Sequence, residues 1–224
     1  MNRQLIVTND GSHSISIPEM NVTYHSSHGA IQESAHVFIK TGLHYLLQSQ
    51  PEIKAINVFE MGFGTGLNAL LTLIETEKIK IPVFYQSIEL YPLEAEVYQS
   101  LNYCEQLHRT DIKPSFELLH ESDWNKKIDV SPYFSFLKTQ IDLNNFSSNE
   151  KFDLVYFDAF APEDQPQLWT VEVFKKLFNM MNPGGVLTTY CSKSIVRKAM
   201  TAAGFTVSKQ PGPPHKREIV RAEK

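Results

Sequence analysis

The sequence predicts an α/β fold, with a doubly wound, mostly parallel sheet covered by helices on both faces. From residue 55 on, short runs rich in β-branched and aromatic residues alternate with helical patterns. The most apolar run, Phe152–Phe157, is bounded by charged residues, as a fully buried strand is. A chain of 224 residues, 42% hydrophobic, can build one domain with a sizeable core.

Residues 1–50 fit this alternation poorly, so we predict an N-terminal extension that packs on a core domain formed by residues 51–224. In the extension, residues 14–17 alternate like a strand and residues 21–28 are typical of a loop. A helix is expected over residues 36–47.

The core domain is predicted to contain regularly alternating strands and helices. The strands expected in chain order are 56–60, 83–89, 116–120, 152–157 and 186–190, and the helices are 67–77, one beginning near Pro92, 170–181 and 194–203. Residues 126–149 are interpreted as an insertion with some helix. The breaker Asn182-Pro-Gly-Gly185 ends one helix, and residues 205–221 are expected to form an antiparallel C-terminal hairpin at the edge of the sheet.

A glycine-rich loop, Gly62-Phe-Gly-Thr-Gly66, lies between the first core strand and the helix after it. In an open α/β sheet this is where a ligand binds, and glycines let the backbone approach it closely. A dinucleotide fingerprint would place its third glycine at position 67, which is Leu67 here. With Glu60 ending the strand, the spacing favours S-adenosylmethionine (SAM) over NAD and predicts a class I, Rossmann-like SAM-methyltransferase fold.

Further acidic residues follow the predicted strands. Glu89 ends the second strand, where a carboxylate can accept hydrogen bonds from ribose hydroxyls, a feature that NAD enzymes share. Asp123 follows the predicted third strand and is interpreted as a contact for the adenine amino group. Asp158 ends the fourth strand, where it can orient an amine nucleophile or help to deprotonate it.

Aromatic residues follow Asp158. Phe160 and Trp169 can stack on a planar base or shield the sulfonium, and a role as ordinary core aromatics remains open for both. The eight histidines show no metal-ligand spacing, so no metal site is predicted.

The net charge of −4 is unevenly distributed: residues 175–224 hold ten Lys or Arg and only two acids. This asymmetry indicates either a surface that faces a polyanion or a solvated helix face with a basic tail. The two cysteines have no paired spacing, and neither a signal segment nor an apolar run of about 18 residues occurs. We therefore expect a cytoplasmic protein with no membrane partner.

Together, these segments resemble the methyltransferase domain of the bifunctional tRNA-modifying enzyme MnmC, which is also found alone as MnmD. The resemblance runs through residues 24–27, 33–34, 37–39, 60–68, 88–93, 158–162, 166–169, 182–185, 203–205 and 216–218. The glycine segment combined with the D-x-F-A-P and P-x-x-W pair at 158–169 is specific. In bifunctional members an FAD-dependent oxidase domain follows; this chain ends at Lys224, so the expectation is the stand-alone form without a fused oxidase.

The resemblance implies SAM-dependent N-methylation of 5-aminomethyl(-2-thio)uridine at the tRNA wobble position, giving the 5-methylaminomethyl form. The partner would be the anticodon region of tRNA, and the catalytic residue would be Asp158. The residues implied to bind the cofactor are Glu60, Gly62, Phe63, Gly64, Gly66, Asn68, Glu89 and Asp123. Those implied to bind the substrate are Tyr24, Ser26, Glu33, Phe160, Pro162, Trp169, Lys216 and Arg217.

The basic residues considered as phosphate contacts are Lys193, Arg197, Lys198, Lys209, Lys216 and Arg217. Three alternatives stay open at this point: a methyltransferase for a small-molecule or protein amine, an NAD oxidoreductase and a catalytically silent RNA-binding module. The sequence leaves the oligomeric state open.

Overall fold

The computed structural model describes residues 2–224 and is built around an eight-stranded sheet. Its strands in chain order are β4 (Ile56–Met61), β5 (Val83–Glu89), β6 (Ile128–Ser131), β7 (Phe134–Gln140), β8 (Phe152–Phe157), β9 (Met181–Thr189), β10 (Thr206–Pro211) and β11 (Glu218–Glu223). The spatial order is β10-β11-β9-β8-β4-β5-β7-β6. The five central strands are parallel, and β6, β10 and β11 pair antiparallel with their neighbours, which confirms the predicted fold class.

Helices cover the sheet. They are α1 (Ala30–Ser34), α2 (Tyr45–Ser49), α3 (Leu67–Ile79), α4 (Ala95–Gln99), α5 (Tyr103–Gln106), α6 (Lys113–Glu121), α7 (Val171–Met180) and α8 (Ser194–Ala202). A π-helical segment, Ala35–His44, joins α1 to α2, and short 3₁₀ turns occupy Pro18–Met20, Thr110–Ile112 and Pro166–Leu168. No helix among residues 2–224 is long and apolar enough to cross a membrane.

The sequence explains the central elements directly. Every residue of β8 except Asp153 is buried, because helices cover both faces of a parallel sheet. The amphipathic helix α7 buries Val173, Phe174 and Leu177, and Thr170 caps it by accepting a hydrogen bond from the Val173 amide.

The strand order reverses at β4, which lies between β5 and β8. At such a switch point the carboxyl ends of neighbouring parallel strands diverge and leave a crevice. The glycine loop follows β4 at this point. Glu89 is the last residue of β5, and Asp158 directly follows β8. The fold therefore brings these three predicted features to one edge.

The N-terminal segment forms a small antiparallel sheet from β1 (Gln4–Val7), β2 (His13–Ile17) and β3 (Val22–Thr23). The π-helical segment then packs on the main sheet, where a Cβ on Gly42 would lie 3.2 Å from the Tyr156 ring and from Thr188 Oγ1. The close approach of helix and sheet therefore requires a glycine, which has no side chain, at position 42.

Two predictions for the middle of the chain are wrong. Residues 116–120 form part of helix α6, because Phe116 and Leu119, three residues apart, are buried while Leu118 is 39% exposed. The third parallel strand is β7, and with β6 it occupies much of the segment interpreted as an insertion with some helix.

Smaller differences concern element ends. The helix expected near Pro92 begins at Ala95, and the 182–185 breaker lies inside β9, where the pairing with β8 shifts register. The C-terminal hairpin is confirmed; β11 pairs with β9, and β10 forms the outer edge.

Candidate active site

The glycine loop needs its glycines. Gly62, Gly64 and Gly66 have φ of 91°, 49° and 75°, in the left-handed region that other residues rarely adopt. A Cβ would lie 3.1 Å from the Asp158 carbonyl at Gly62 and 3.1 Å from the Tyr24 ring at Gly64. The loop thus forms a bare backbone cradle, closed on one side by the N-terminal segment.

A cavity of about 240 Å³ lies above this cradle. Glu89 lines the cavity and connects two of its lining segments, because its carboxylate accepts hydrogen bonds from the amides of Gly64 (3.0 Å) and Tyr91 (2.8 Å). Of the predicted cofactor residues, Gly62, Phe63, Gly64, Asn68 and Glu89 line this cavity.

Asp123 does not reach the cavity. It lies after α6, its side chain is 75% exposed, and it forms an ion pair with Lys126 at 3.3 Å. The carboxylate that follows the true third strand is Asp142, which lines the cavity. The alternating run 134–140 was the signal that would have located it.

Asp158 is half-buried and lines both this cavity and the neighbouring one. Its Oδ2 accepts a hydrogen bond from Asn68 Nδ2 at 2.9 Å. Burial raises the pKa of Asp158 to about 7, and the nearby charge of Glu33 adds to this, whereas the Asn68 bond and the Lys216 charge lower the pKa. The group can therefore exchange a proton near neutral pH.

Glu60 does not line either cavity; it is 1% exposed beneath the loop and accepts a hydrogen bond from Ser87 at 2.8 Å. Burial, with a contribution from Asp158, raises its pKa to about 8. Its Oε1 and the Oδ1 of Asn68 are both buried without a partner, and Asn68 lies within hydrogen-bonding reach of Glu60.

A second cavity, of about 420 Å³, adjoins the first. The two share Tyr24, His25 and the segment 158–160, so Asp158 faces both. Tyr24 also touches Phe160 edge-on, with ring centroids 5.4 Å apart. Of the predicted substrate residues, Tyr24, Ser26, Glu33, Phe160 and Lys216 line this second cavity.

The remaining three predicted substrate residues lie outside the lining. Trp169 is 5% exposed and packs edge-on against Phe157, and its Nε1 donates to the Phe160 carbonyl at 2.8 Å. It is a core aromatic that holds the loop after β8 in place. Pro162 and Arg217 flank the lining residues Ala161 and Lys216.

His25 is a residue of the site that the sequence did not predict. Its imidazole is buried, lines both cavities, and its Nε2 lies 2.8 Å from Thr65 Oγ1 in the glycine loop. Burial lowers its pKa to about 4, so the ring is neutral near pH 7. On the other side, His120 Nε2 lies 3.1 Å from the Thr65 carbonyl. Two histidines thus hold this loop residue.

The residues of the first cavity fit an adenosyl cofactor. The left-handed glycines make a cradle that side chains would fill, and Glu89 and Asp142 bring carboxylates from two neighbouring strands. Carboxylates in these places can accept hydrogen bonds from ribose hydroxyls and from an adenine amino group.

Comparison with known proteins agrees with this geometry. A family described as S-adenosyl-L-methionine-dependent methyltransferase matches residues 115–224. A protein of Leptospira interrogans named tRNA 5-methylaminomethyl-2-thiouridine biosynthesis bifunctional protein MnmC is 31% identical over 88% of this chain and 32% of its own length. Its namesake in Pseudomonas savastanoi pv. phaseolicola is 29% identical over 88% of this chain and 31% of its own. The chain therefore spans about a third of the length of these relatives.

Among solved structures, MNMC2 from Aquifex aeolicus superposes with a TM-score of 0.80 at 26% identity, covering 99% of this chain and 69% of that one. Spermidine synthase from Thermotoga maritima shares the fold, with a TM-score of 0.52 at 12% identity over 100% of this chain and 72% of its own. The chain thus has the fold of S-adenosyl-L-methionine-dependent methyltransferases and is similar over most of its length to the MnmC relatives.

Proposed function

We propose that this protein methylates the primary amine of 5-aminomethyl-2-thiouridine at the wobble position of tRNA, with SAM as the methyl donor. The MnmC relatives are named for 5-methylaminomethyl-2-thiouridine in tRNA, which is the expected product. A tRNA substrate also implies the cytoplasmic location expected from the sequence.

The observation that carries the proposal is the position of Asp158 where the two cavities meet. A cofactor in the glycine-loop cavity and a nucleoside in the larger cavity would both contact this one carboxylate. Direct methyl transfer requires such contact between donor and acceptor, because the nucleophile must be aligned with the departing group.

The chain's own residues must deliver a neutral amine, since a free alkylamine is mostly protonated at pH 7. The pKa of Asp158 of about 7 lets its carboxylate accept the ammonium proton and release it to solvent after turnover. Asn68 holds the carboxylate in place while the amine lone pair is directed at the donor. SAM would be held by the glycine loop, Glu89 and Asp142, and there it would supply the electrophilic methyl group for the amine, with S-adenosylhomocysteine as the leaving group.

The basic residues of the C-terminal segment 175–224 support an RNA partner. Lys193, Lys209 and Lys216 are paired with Glu163, Glu218 and Glu33. Arg197, Lys198 and Arg217 form no ion pair with an acid among the residues that the structure describes, 2–224. We therefore assign phosphate contacts to these three.

The test is transfer of labelled methyl groups from SAM to an anticodon stem-loop RNA that carries wobble 5-aminomethyl-2-thiouridine. Product nucleosides are identified by mass spectrometry, and the same RNA with an unmodified wobble uridine is the control. We expect methylation of the aminomethyl RNA alone. Equal rates on the free aminomethyl nucleoside would instead favour a small-molecule amine methyltransferase.

The variant Asp158→Asn keeps the size and the Asn68 contact but cannot take up the proton. We expect methyl transfer to fall by at least about 100-fold while SAM affinity in calorimetry changes by less than about threefold. Turnover at the wild-type rate in this variant contradicts the assigned role.

A further inference from the structure

The larger cavity holds charges that the proposed reaction does not itself require. Its lining includes the carboxylates of Glu33, Asp158 and Asp164 and one lysine, Lys216. Asp164 is exposed, whereas Glu33 and Lys216 are more buried and come from the N-terminal and C-terminal parts of the chain.

Glu33 and Lys216 form a preorganised ion pair. Lys216 Nζ lies 3.0 Å from Glu33 Oε1, and Glu33 Oε2 accepts a hydrogen bond from the Ser26 amide at 3.0 Å. Lys216 Nζ also lies 4.4 Å from the centre of the Tyr190 ring, whose hydroxyl donates to the Ala159 carbonyl at 2.9 Å. The Glu33 side chain is 12% exposed and both its oxygens are held, so its charge has a fixed position.

The two charges do not cancel at the reacting carboxylate. The carboxylate of Glu33 has a larger effect on the pKa of Asp158 than the ammonium of Lys216 has, and in the opposite direction. With three carboxylates and one ammonium in the cavity lining, the space beside Asp158 is at negative potential, which attracts a cation and repels an anion.

We propose that the Glu33–Lys216 pair is the charge filter of the substrate cavity, in which Glu33 selects a cationic aminoalkyl substituent and rejects an anionic one. Lys216 limits that attraction and lowers the pKa of Asp158, which keeps its carboxylate ionised and able to accept a proton as the cation enters. This inference rests on the proposed function and names what its substrate cavity discriminates.

The test uses three anticodon stem-loop RNAs that differ only in the substituent at C5 of the wobble uridine. The three substituents are aminomethyl (a cation), hydroxymethyl (neutral) and carboxymethyl (an anion). Binding is measured by fluorescence anisotropy for the wild type, Glu33→Gln, Lys216→Met and the double variant. Glutamine keeps the bond to Ser26 and removes only the charge.

Glu33→Gln should weaken binding of the aminomethyl RNA about tenfold relative to the hydroxymethyl RNA and strengthen binding of the carboxymethyl RNA. Lys216→Met should have the opposite effect: relative to the hydroxymethyl RNA, it should strengthen binding of the aminomethyl RNA and weaken binding of the carboxymethyl RNA. In the double variant both relative affinities should be within about threefold of the wild-type values. In turnover, Glu33→Gln should raise KM, whereas Lys216→Met should lower kcat and KM together.

Glu105 and Lys113, 3.3 Å apart and in neither cavity lining, form the matched control pair. Glu105→Gln and Lys113→Met should leave all three binding ratios unchanged. The charge filter is overturned if each site variant changes the affinity for all three RNAs by the same factor, or if both variants change the affinity ratios in the same direction. The proposed methylation of the aminomethyl RNA would be unaffected by that result. A wild type that methylates no RNA overturns the proposed function and this inference with it.

Discussion

Asn68 Nδ2 donates a hydrogen bond to Asp158 Oδ2 across 2.9 Å and thereby joins the first turn of α3 to the end of β8. The donor and the acceptor come from elements 90 residues apart in the chain. The bond stabilises the charged carboxylate, so it opposes the burial that raises the pKa of Asp158.

Removing this donor should shift the pH dependence of catalysis. In Asn68→Ala the ionised form of Asp158 loses its hydrogen bond, so its pKa rises above about 7. The acid limb of the pH profile of kcat/KM should move up by about one pH unit, because a hydrogen bond to a charged group contributes about 1.5 kcal/mol or more. Rates at pH 7 should fall and partly recover near pH 9.

Asn182→Ala is the matched control. Asn182 also donates its amide to an aspartate, Asp153, at 2.7 Å, but neither residue lines a cavity. Its pH profile should overlay that of the wild type. An unshifted acid limb in Asn68→Ala would show that Asp158 does not control the rate through its protonation.

Glu60 should make stability depend on pH. Its pKa is about 8 in the folded protein against an ordinary value of 4.5, so between these two values the folded state holds a proton that the unfolded state lacks. The free energy of unfolding therefore declines as pH rises through this window. Relative to the wild type, Glu60→Gln should gain stability from pH 5 to pH 9, by at most about 1.4 kcal/mol per pH unit.

Urea unfolding of both proteins at a series of pH values measures this difference. The buried His25 and His120 titrate in the opposite sense below pH 6.5, but both proteins share them, so the difference isolates Glu60. Glu52→Gln, at a side chain 93% exposed, should show no such trend. A constant difference between Glu60→Gln and the wild type at all pH values would contradict a raised pKa.

The sequence predicted the parts of the site that follow a strand with a clear pattern. β4, β5 and β8 are apolar runs of six or seven residues with a glycine or acid at their ends, so the loop, Glu89 and Asp158 were located correctly. Part of helix α6 was predicted as a strand because the short segment 116–120, with three apolar residues, fits both periods, and strand β7 was interpreted as part of an insertion. Asp142 was missed for that reason.

Other features depend on contacts between distant segments, which periodicity does not encode. His25 lies in an irregular stretch 40 residues before Thr65, and its neutral, buried state follows only from the packing. The Glu33–Lys216 pair spans 183 residues. Family resemblance marked Glu33 and Lys216, but their mutual contact required the fold.

The bond between His25 and Thr65 should support cofactor binding. His25→Leu or Thr65→Val alone leaves its partner buried and unsatisfied next to the cradle, so each should weaken SAM binding about fivefold or more. The double variant should lose less than the product of the two single effects. Calorimetry with SAM measures all four proteins.

His36→Leu is the control, because the His36 imidazole bonds the Pro211 carbonyl at 2.8 Å, away from the loop. It should leave SAM affinity unchanged. Variants of His25 and Thr65 with a lowered Tm but wild-type affinity would limit this contact to a structural role.

Salt dependence should identify the residues that contact phosphates. Each of Arg197→Ala, Lys198→Ala and Arg217→Ala removes a cation that no acid neutralises among residues 2–224, so each should reduce the slope of log Kobs against log salt for stem-loop binding by about one. Lys193→Ala should reduce it less, because Lys193 must first leave Glu163. At the opposite end of the parallel strands, just before β4, Lys54 is 87% exposed and, like Lys193, lies within ion-pair distance of an acid, Glu52, at 4.0 Å; Lys54→Ala should leave the slope unchanged. Equal reductions in Lys54→Ala and Arg217→Ala would mean that net charge alone, and not this surface, determines RNA affinity.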